Sequence, residues 1–116
     1  MEDEWIMSRT IPRAYVTAAW SRNRVEAEDE ARKYCRELVR AGYLPLCPVL
    51  AFSGIISDQD PDAEKKRRER SMDLLKRARF LVVCGEKLND DVKEDVSIAK
   101  HSKVIPTTLA GILQCG

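Results

Sequence analysis

The run Phe80-Leu81-Val82-Val83-Cys84 is apolar at every position, rich in β-branched residues, and closed by Gly85. A strand with no polar alternation has a core on both sides, as in a parallel sheet covered by helices on each face. The flanks agree with this reading. Upstream, a helical pattern runs from about Asp62 to Ala78, with Met72, Leu75 and Ala78 on its inner stripe. Downstream, Val92, Val96 and Ala99 place another helix on the core, from near Asn89 to near His101.

Further out, Ala14-Tyr15-Val16-Thr17-Ala18-Ala19-Trp20 reads as a second buried strand. Asn23 with Glu26 has the form of a capping box, which starts a helix. Ala27, Ala31, Tyr34, Cys35 and Leu38 continue that helix to Ala41, and Gly42 stops it because a residue without Cβ takes positive φ at little cost. Leu44 to Leu50 reads as a strand that Pro45 and Pro48 confine to an edge or to strand ends. Ala51 to Pro61 is a turn-rich loop. Lys103 to Ile105 forms a last short strand, and Thr107 or Thr108 caps a small helix running through Leu113. Strands alternating with helices imply right-handed parallel crossovers. The expectation is one three-layer α/β domain over residues 1–116, with residues 1–12 irregular and a short parallel sheet of about four or five strands.

The composition fits that architecture. The chain has 116 residues, enough for a real core, and its 44% hydrophobic content suits a globular domain. Lys plus Arg number 20 and Asp plus Glu 19, so a net charge of +1 gives no general reason to bind nucleic acid or an anionic membrane. Cys35, Cys47, Cys84 and Cys115 are scattered, and His101 is the lone histidine, so no zinc site and no other metal or cofactor is expected. Three of the cysteines sit inside apolar patterns, where a thiol behaves as a small hydrophobe. The acidic start Met1-Glu2-Asp3-Glu4 lacks the form of a signal peptide, and no apolar run approaches membrane-spanning length. Reduced cysteines in a cytoplasmic protein are the expectation.

In an open parallel sheet, ligands bind beyond the carboxyl ends of the strands. That rule selects Trp20 and Arg22 after the first strand, Pro48 and Phe52 after the second, and Gly85, Asn89, Asp91 and Asp95 after the third. Trp20 and Phe52 bring flat apolar faces, while Arg22, Asn89 and the aspartates bring hydrogen-bonding groups. The mixture suits a small, planar, polar ligand.

The same residues carry a resemblance. The opening strand with Tyr15, the stretch Gly42-Tyr43-Leu44-Pro45-Leu46-Cys47-Pro48-Val49-Leu50, the segment Leu74 to Gly85, and Asp95-Val96-Ser97-Ile98-Ala99-Lys100 together resemble the nucleoside 2-deoxyribosyltransferase-like superfamily. The likeness covers roughly residues 14 to 106. It implies a Rossmann-like or flavodoxin-like sheet, a nucleoside or nucleotide-like ligand, and a carboxylate that attacks the anomeric carbon of a deoxyribose. That carboxylate position falls on Asp95, and Tyr15, Trp20, Arg22, Pro48, Phe52, Gly85, Asn89 and Asp91 become ligand contacts. The resemblance also implies a homo-oligomer, most simply a dimer, which light scattering tests.

This chain departs from the pattern in ways that bear on chemistry. Asp95 stands where the family has glutamate; losing a methylene withdraws the carboxylate by about an ångström, which costs on the order of a hundredfold in rate. Asp91 replaces a glycine. A binding or regulatory module that has lost turnover is therefore the alternative to an enzyme. Plainer readings also stand for single residues. Asp90 and Asp91 suit the positive end of a helix dipole, and Asp95 suits a solvated helix surface. Tyr15 suits a core position, and the run Lys65-Lys66-Arg67-Arg68-Glu69-Arg70 suits a solvated helix face. Glu94, the nearest spare carboxylate, lies a helical step away from Asp95.

Overall fold

The computed structural model describes residues 11–17, 24–57, 59–85 and 90–115. Four strands, β1 (Arg13–Thr17), β2 (Leu44–Leu46), β3 (Phe80–Val83) and β4 (Ile105–Thr108), form one sheet in the order β2-β1-β3-β4. Every neighbouring pair is parallel. The helices are α1 (Arg24–Arg40), α2 (Pro48–Phe52), α3 (Ala63–Lys76), α4 (Asp90–His101) and α5 (Leu109–Cys115). This strand order is that of a flavodoxin-like, doubly wound α/β fold.

The period of two along each strand separates the layers. Ala14 and Val16 of β1, with Val82 of β3, enter one core together with Ala27, Ala31 and Leu38 of α1, Val49 of α2 and Ile112 of α5. Tyr15 and Leu81 face the opposite way and pack with Leu75 of α3, Ala78, Ala99 of α4 and Val104. Leu38, Leu75, Leu81 and Val82 are fully buried, so neither face of the central strands meets water. The uninterrupted apolar run of β3 has this cause.

Proline sits in each edge strand, with Pro45 opposite Ala14 and Pro106 opposite Leu81. A residue without an N–H cannot serve the middle of a ladder, so β2 and β4 occupy the positions that tolerate it. Pro48, expected near a strand end, instead opens α2: β2 ends at Leu46 and Pro48–Phe52 is helical. The first turn of a helix needs no N–H from that position, and the ring presets the required φ.

Gly42 ends α1 as expected. Its φ is +96°, and the N–H groups of Tyr43 and Gly42 donate to the carbonyls of Leu38 and Val39 at 2.9 and 3.1 Å. This crossed pair is a Schellman cap. The same device corrects the last strand. Lys103, read as its first residue, has a φ of +61° and ends α4, while the Val104 N–H donates back to Ala99 at 2.8 Å. The strand therefore begins two residues later, at Ile105. Thr108 caps α5 by accepting from the Gly111 N–H at 3.0 Å. The proposed capping residue Asn23 and the strand extension over 18–20 lie outside the described residues.

Candidate functional site

The two chain connections leaving β1 and β2 run to opposite sides of β1, which places the switch in strand order between β1 and β3. At their carboxyl ends these strands are joined by a side chain. The Thr17 hydroxyl accepts from the Cys84 N–H at 3.1 Å and donates to the Val82 carbonyl at 3.3 Å. Thr17 is thereby committed to holding the strand ends together. Gly85 follows at once with a φ of +90°, and a Cβ there would approach the Tyr34 hydroxyl to 3.9 Å, so backbone conformation rather than space favours glycine.

Asp95 lies in the second turn of α4 and is only 7% exposed. It is not a solvated helix acid. Its Oδ1 accepts a charge-assisted hydrogen bond from Arg68 of α3 at 2.8 Å, and a second guanidinium nitrogen of Arg68 meets Glu94 Oε1 at 3.1 Å. The two neighbouring carboxylates, expected to diverge, thus converge on one guanidinium. Glu94 reaches it from solvent and Asp95 from the interior. A buried charge requires such a partner because desolvation costs several kcal/mol on its own.

Arg68 is the residue that sequence reasoning missed. The run Lys65 to Arg70 reads as a solvated basic face, yet Arg68 is only partly exposed. Arg67 also turns inward, donating to the Ile56 carbonyl at 3.5 Å. Residues 68, 71, 75 and 78 lie at helical spacing on one side, so the inner stripe runs through the buried Ser71 and not through the half-buried Met72, and continues back to Arg68. That periodicity was the available signal; the strength of the basic run obscured it.

Tyr15 joins this group from β1. Burial raises its phenol pKa and the negative charge of Asp95 raises it further; a hydrogen bond with the Ser71 hydroxyl and the cation on Arg68 act in the opposite direction. The phenol stays neutral at physiological pH. Ser71 is itself buried. Tyr15 is therefore a core residue whose polar tip enters a small network with Ser71, Arg68 and Asp95 between the sheet, α3 and α4.

The other candidates fall elsewhere. Pro48 is buried at the start of α2, and Phe52 is half-buried at its end. The following Ser53 hydroxyl donates to Glu28 of α1, tying that end of α2 down. Trp20, Arg22 and Asn89 lie outside the described residues, as does the side chain of Asp91. Asp90 is exposed in the first turn of α4. Among the described residues no group of three or more His, Cys, Asp or Glu side chains could hold a metal ion, and no helix is long and apolar enough to cross a membrane.

A doubly wound parallel sheet with a buried, arginine-held carboxylate packed against one face defines an α/β domain of the flavodoxin-like kind. Residues 12–108 match the family model DUF7768, a domain of unknown function, and the chain belongs to that family. No curated protein matches the sequence significantly. Among solved structures, it is similar to the 2-deoxyribosyltransferase of the psychrotolerant bacterium Bacillus psychrosaccharolyticus, with a TM-score of 0.66 over 83% of this chain and 70% of that one. Sequence identity is 10%, so the likeness is one of fold. The resemblance drawn from the sequence holds at that level.

Proposed function

We propose that this domain binds a nucleoside-type ligand beyond the carboxyl ends of β1 and β3 and acts on its N-glycosidic bond through Asp95. The observation that carries the reading is the buried Asp95 carboxylate, held by Arg68 at 2.8 Å and close enough to Tyr15 of β1 to raise its pKa. The fold likeness to a 2-deoxyribosyltransferase supports the same ligand class. Trp20, Arg22, Phe52, Asn89 and Asp91 would supply stacking and hydrogen bonds, Pro48 and Gly85 would shape the backbone wall, and Tyr15 would back the carboxylate.

In the proposed step an Asp95 oxygen attacks the anomeric carbon. The carbon–nitrogen bond breaks, the base departs with that electron pair and takes up a proton, and a glycosyl ester remains on Asp95. Water or a second base then displaces the ester and frees the carboxylate. Arg68 orients Asp95 and disperses its charge, which slows attack while keeping the carboxylate in place.

That dispersal favours one second reading, a module that binds the ligand without turnover. The experiment separates the two. Chromatography of free base from a panel of deoxynucleosides should show slow release by wild type, faster release by Asp95→Glu, and none by Asp95→Asn with its fold intact by circular dichroism. Equal release by wild type and Asp95→Asn would remove Asp95 from the reaction. Absence of release by all three, with a nucleotide-induced rise in melting temperature, would leave the binding module.

A further inference from the structure

We propose that the amino end of the sheet is a docking surface for an acidic segment of a partner protein that also carries apolar side chains. Because every pairing is parallel, all the strands of the sheet start at this end. The Arg79 N–H donates to the Arg13 carbonyl at 2.9 Å, and the Ile105 N–H donates to the Arg79 carbonyl at 2.9 Å. On the far side of β1, the Leu44 N–H donates to the Pro12 carbonyl at 2.9 Å. These bonds set Leu44, Arg13, Arg79 and Ile105 side by side, each at or next to the start of its strand, with about 4.8 Å between neighbouring strands. All four residues are exposed.

Arg13 and Arg79 are like charges on neighbouring strands, an arrangement that costs stability. Among the described residues neither has a carboxylate partner. Arg77, close by in the chain, is by contrast paired with Asp73 at 3.1 Å. Three helices hand the chain directly to these strand starts and add cations. Arg40 ends α1, Lys76 ends α3, and Lys100 lies in the last turn of α4, with the exposed Lys103 after it. Last-turn bases complement the dipole of their own helix. That reason does not extend to Arg13 and Arg79, which stand at strand starts.

The apolar side chains among these cations decide the kind of partner. Ile11 is 58% exposed, Leu44 46% and Ile105 52%. Arginine beside apolar anchors is the composition of protein interfaces. Isoleucine and leucine give nothing to a phosphate backbone. The rings at this end do not stand free to stack on bases either: Tyr43 and Phe80 pack edge to face at 5.8 Å, and Arg79 lies over Phe80 at 5.6 Å. A net charge of +1 exerts no long-range pull on a polyanion. An acidic peptide segment with aliphatic side chains matches both the cations and the apolar positions. The Thr17–Cys84 contact marks the other end of the strands, so a partner held here leaves the carboxyl edge open.

The test titrates the full chain into a fluorescein-labelled, glutamate-rich peptide carrying leucines and reads anisotropy. Binding should saturate in the micromolar range and weaken severalfold between about 50 and about 300 mM salt, because exposed charges are screened. Arg13→Glu with Arg79→Glu should weaken it by more than about tenfold with circular dichroism unchanged, since like charges then face each other. Arg13→Gln with Arg79→Gln gives a milder loss and serves if the reversed pair does not fold. Leu44→Ser with Ile105→Ser should lower the affinity to that shown by a peptide with serine in place of each leucine. Absence of peptide binding, or binding that the arginine substitutions leave unchanged, would overturn the proposal. So would equally tight binding of an oligothymidylate of the same charge or of phosphatidylserine vesicles. Self-association in light scattering that the arginine substitutions abolish would make a second copy the occupant and overturn it too.

Discussion

On the sheet face that carries Ala14, Val16 and Val82, helices α1, α2 and α5 close a core of Leu38, Val49 and Ile112, and the polar chemistry there is that of thiols. On the face that carries Tyr15 and Leu81, the core of Leu75, Ala99 and Val104 gives way toward the carboxyl edge to Ser71, Arg68 and Asp95. The first face is held by packing, which tolerates no lost volume. The second trades some of that packing for a charge pair whose members are worth little unless both are present. A fold can carry a buried carboxylate only where a neighbouring helix brings a cation to it, and here α3 does so.

Four variants press on that contrast. The largest loss is expected from Leu38→Ala on the packed face, about 3 kcal/mol, because a fully buried leucine leaves both lost transfer energy and a cavity. Urea unfolding reads it, and a loss below about 1 kcal/mol would mean that this face relaxes rather than stays close-packed.

Arg68→Met on the other face should cost about 2 kcal/mol by leaving Asp95 buried without its cation. The double variant Arg68→Met with Asp95→Leu should recover most of that loss, since an apolar pair of similar size removes the unpaired charge. If the double variant were as unstable as the sum of the singles, the guanidinium would be acting through packing and not through charge.

The smallest effect concerns alkaline pH. A thiol whose folded pKa is raised adds stability that is complete below its unfolded value and is lost as pH climbs toward the folded one. For Cys84 that window opens near the ordinary thiol value of 9.0 and extends to about 12. Tyr15 acts in the same sense from its ordinary 10.0 upward. Between pH 9 and pH 10 wild type should lose about 1 kcal/mol more than Cys84→Ala does. Parallel urea midpoints for the two proteins at those pH values would refute the assignment.

Much of this was legible in residue order because it depends on local rules. The apolar run of β3, the Gly42 stop and the prolines of the edge strands each follow from what one residue can do with its own backbone. Misreadings occurred where two local rules competed. Pro48 fits both the end of a strand and the first turn of a helix, and Lys103 fits both a strand start and a left-handed cap. The competing capping bonds decided each case, such as the Val104 N–H returning to Ala99.

The site divides the same way. The sequence alone determined the alternation of strands and helices, the parallel sheet, and the position of Asp95 beyond the third strand, because hydrophobic period and turn chemistry act within a few residues. It did not determine which charges are buried together. Arg68 and Asp95 are 27 positions apart. Whether each group is solvated, paired or titratable was decided only when the sheet brought α3 against α4 and α1 against the start of α2. Desolvation and Coulomb energy depend on distance in space, which residue order does not encode.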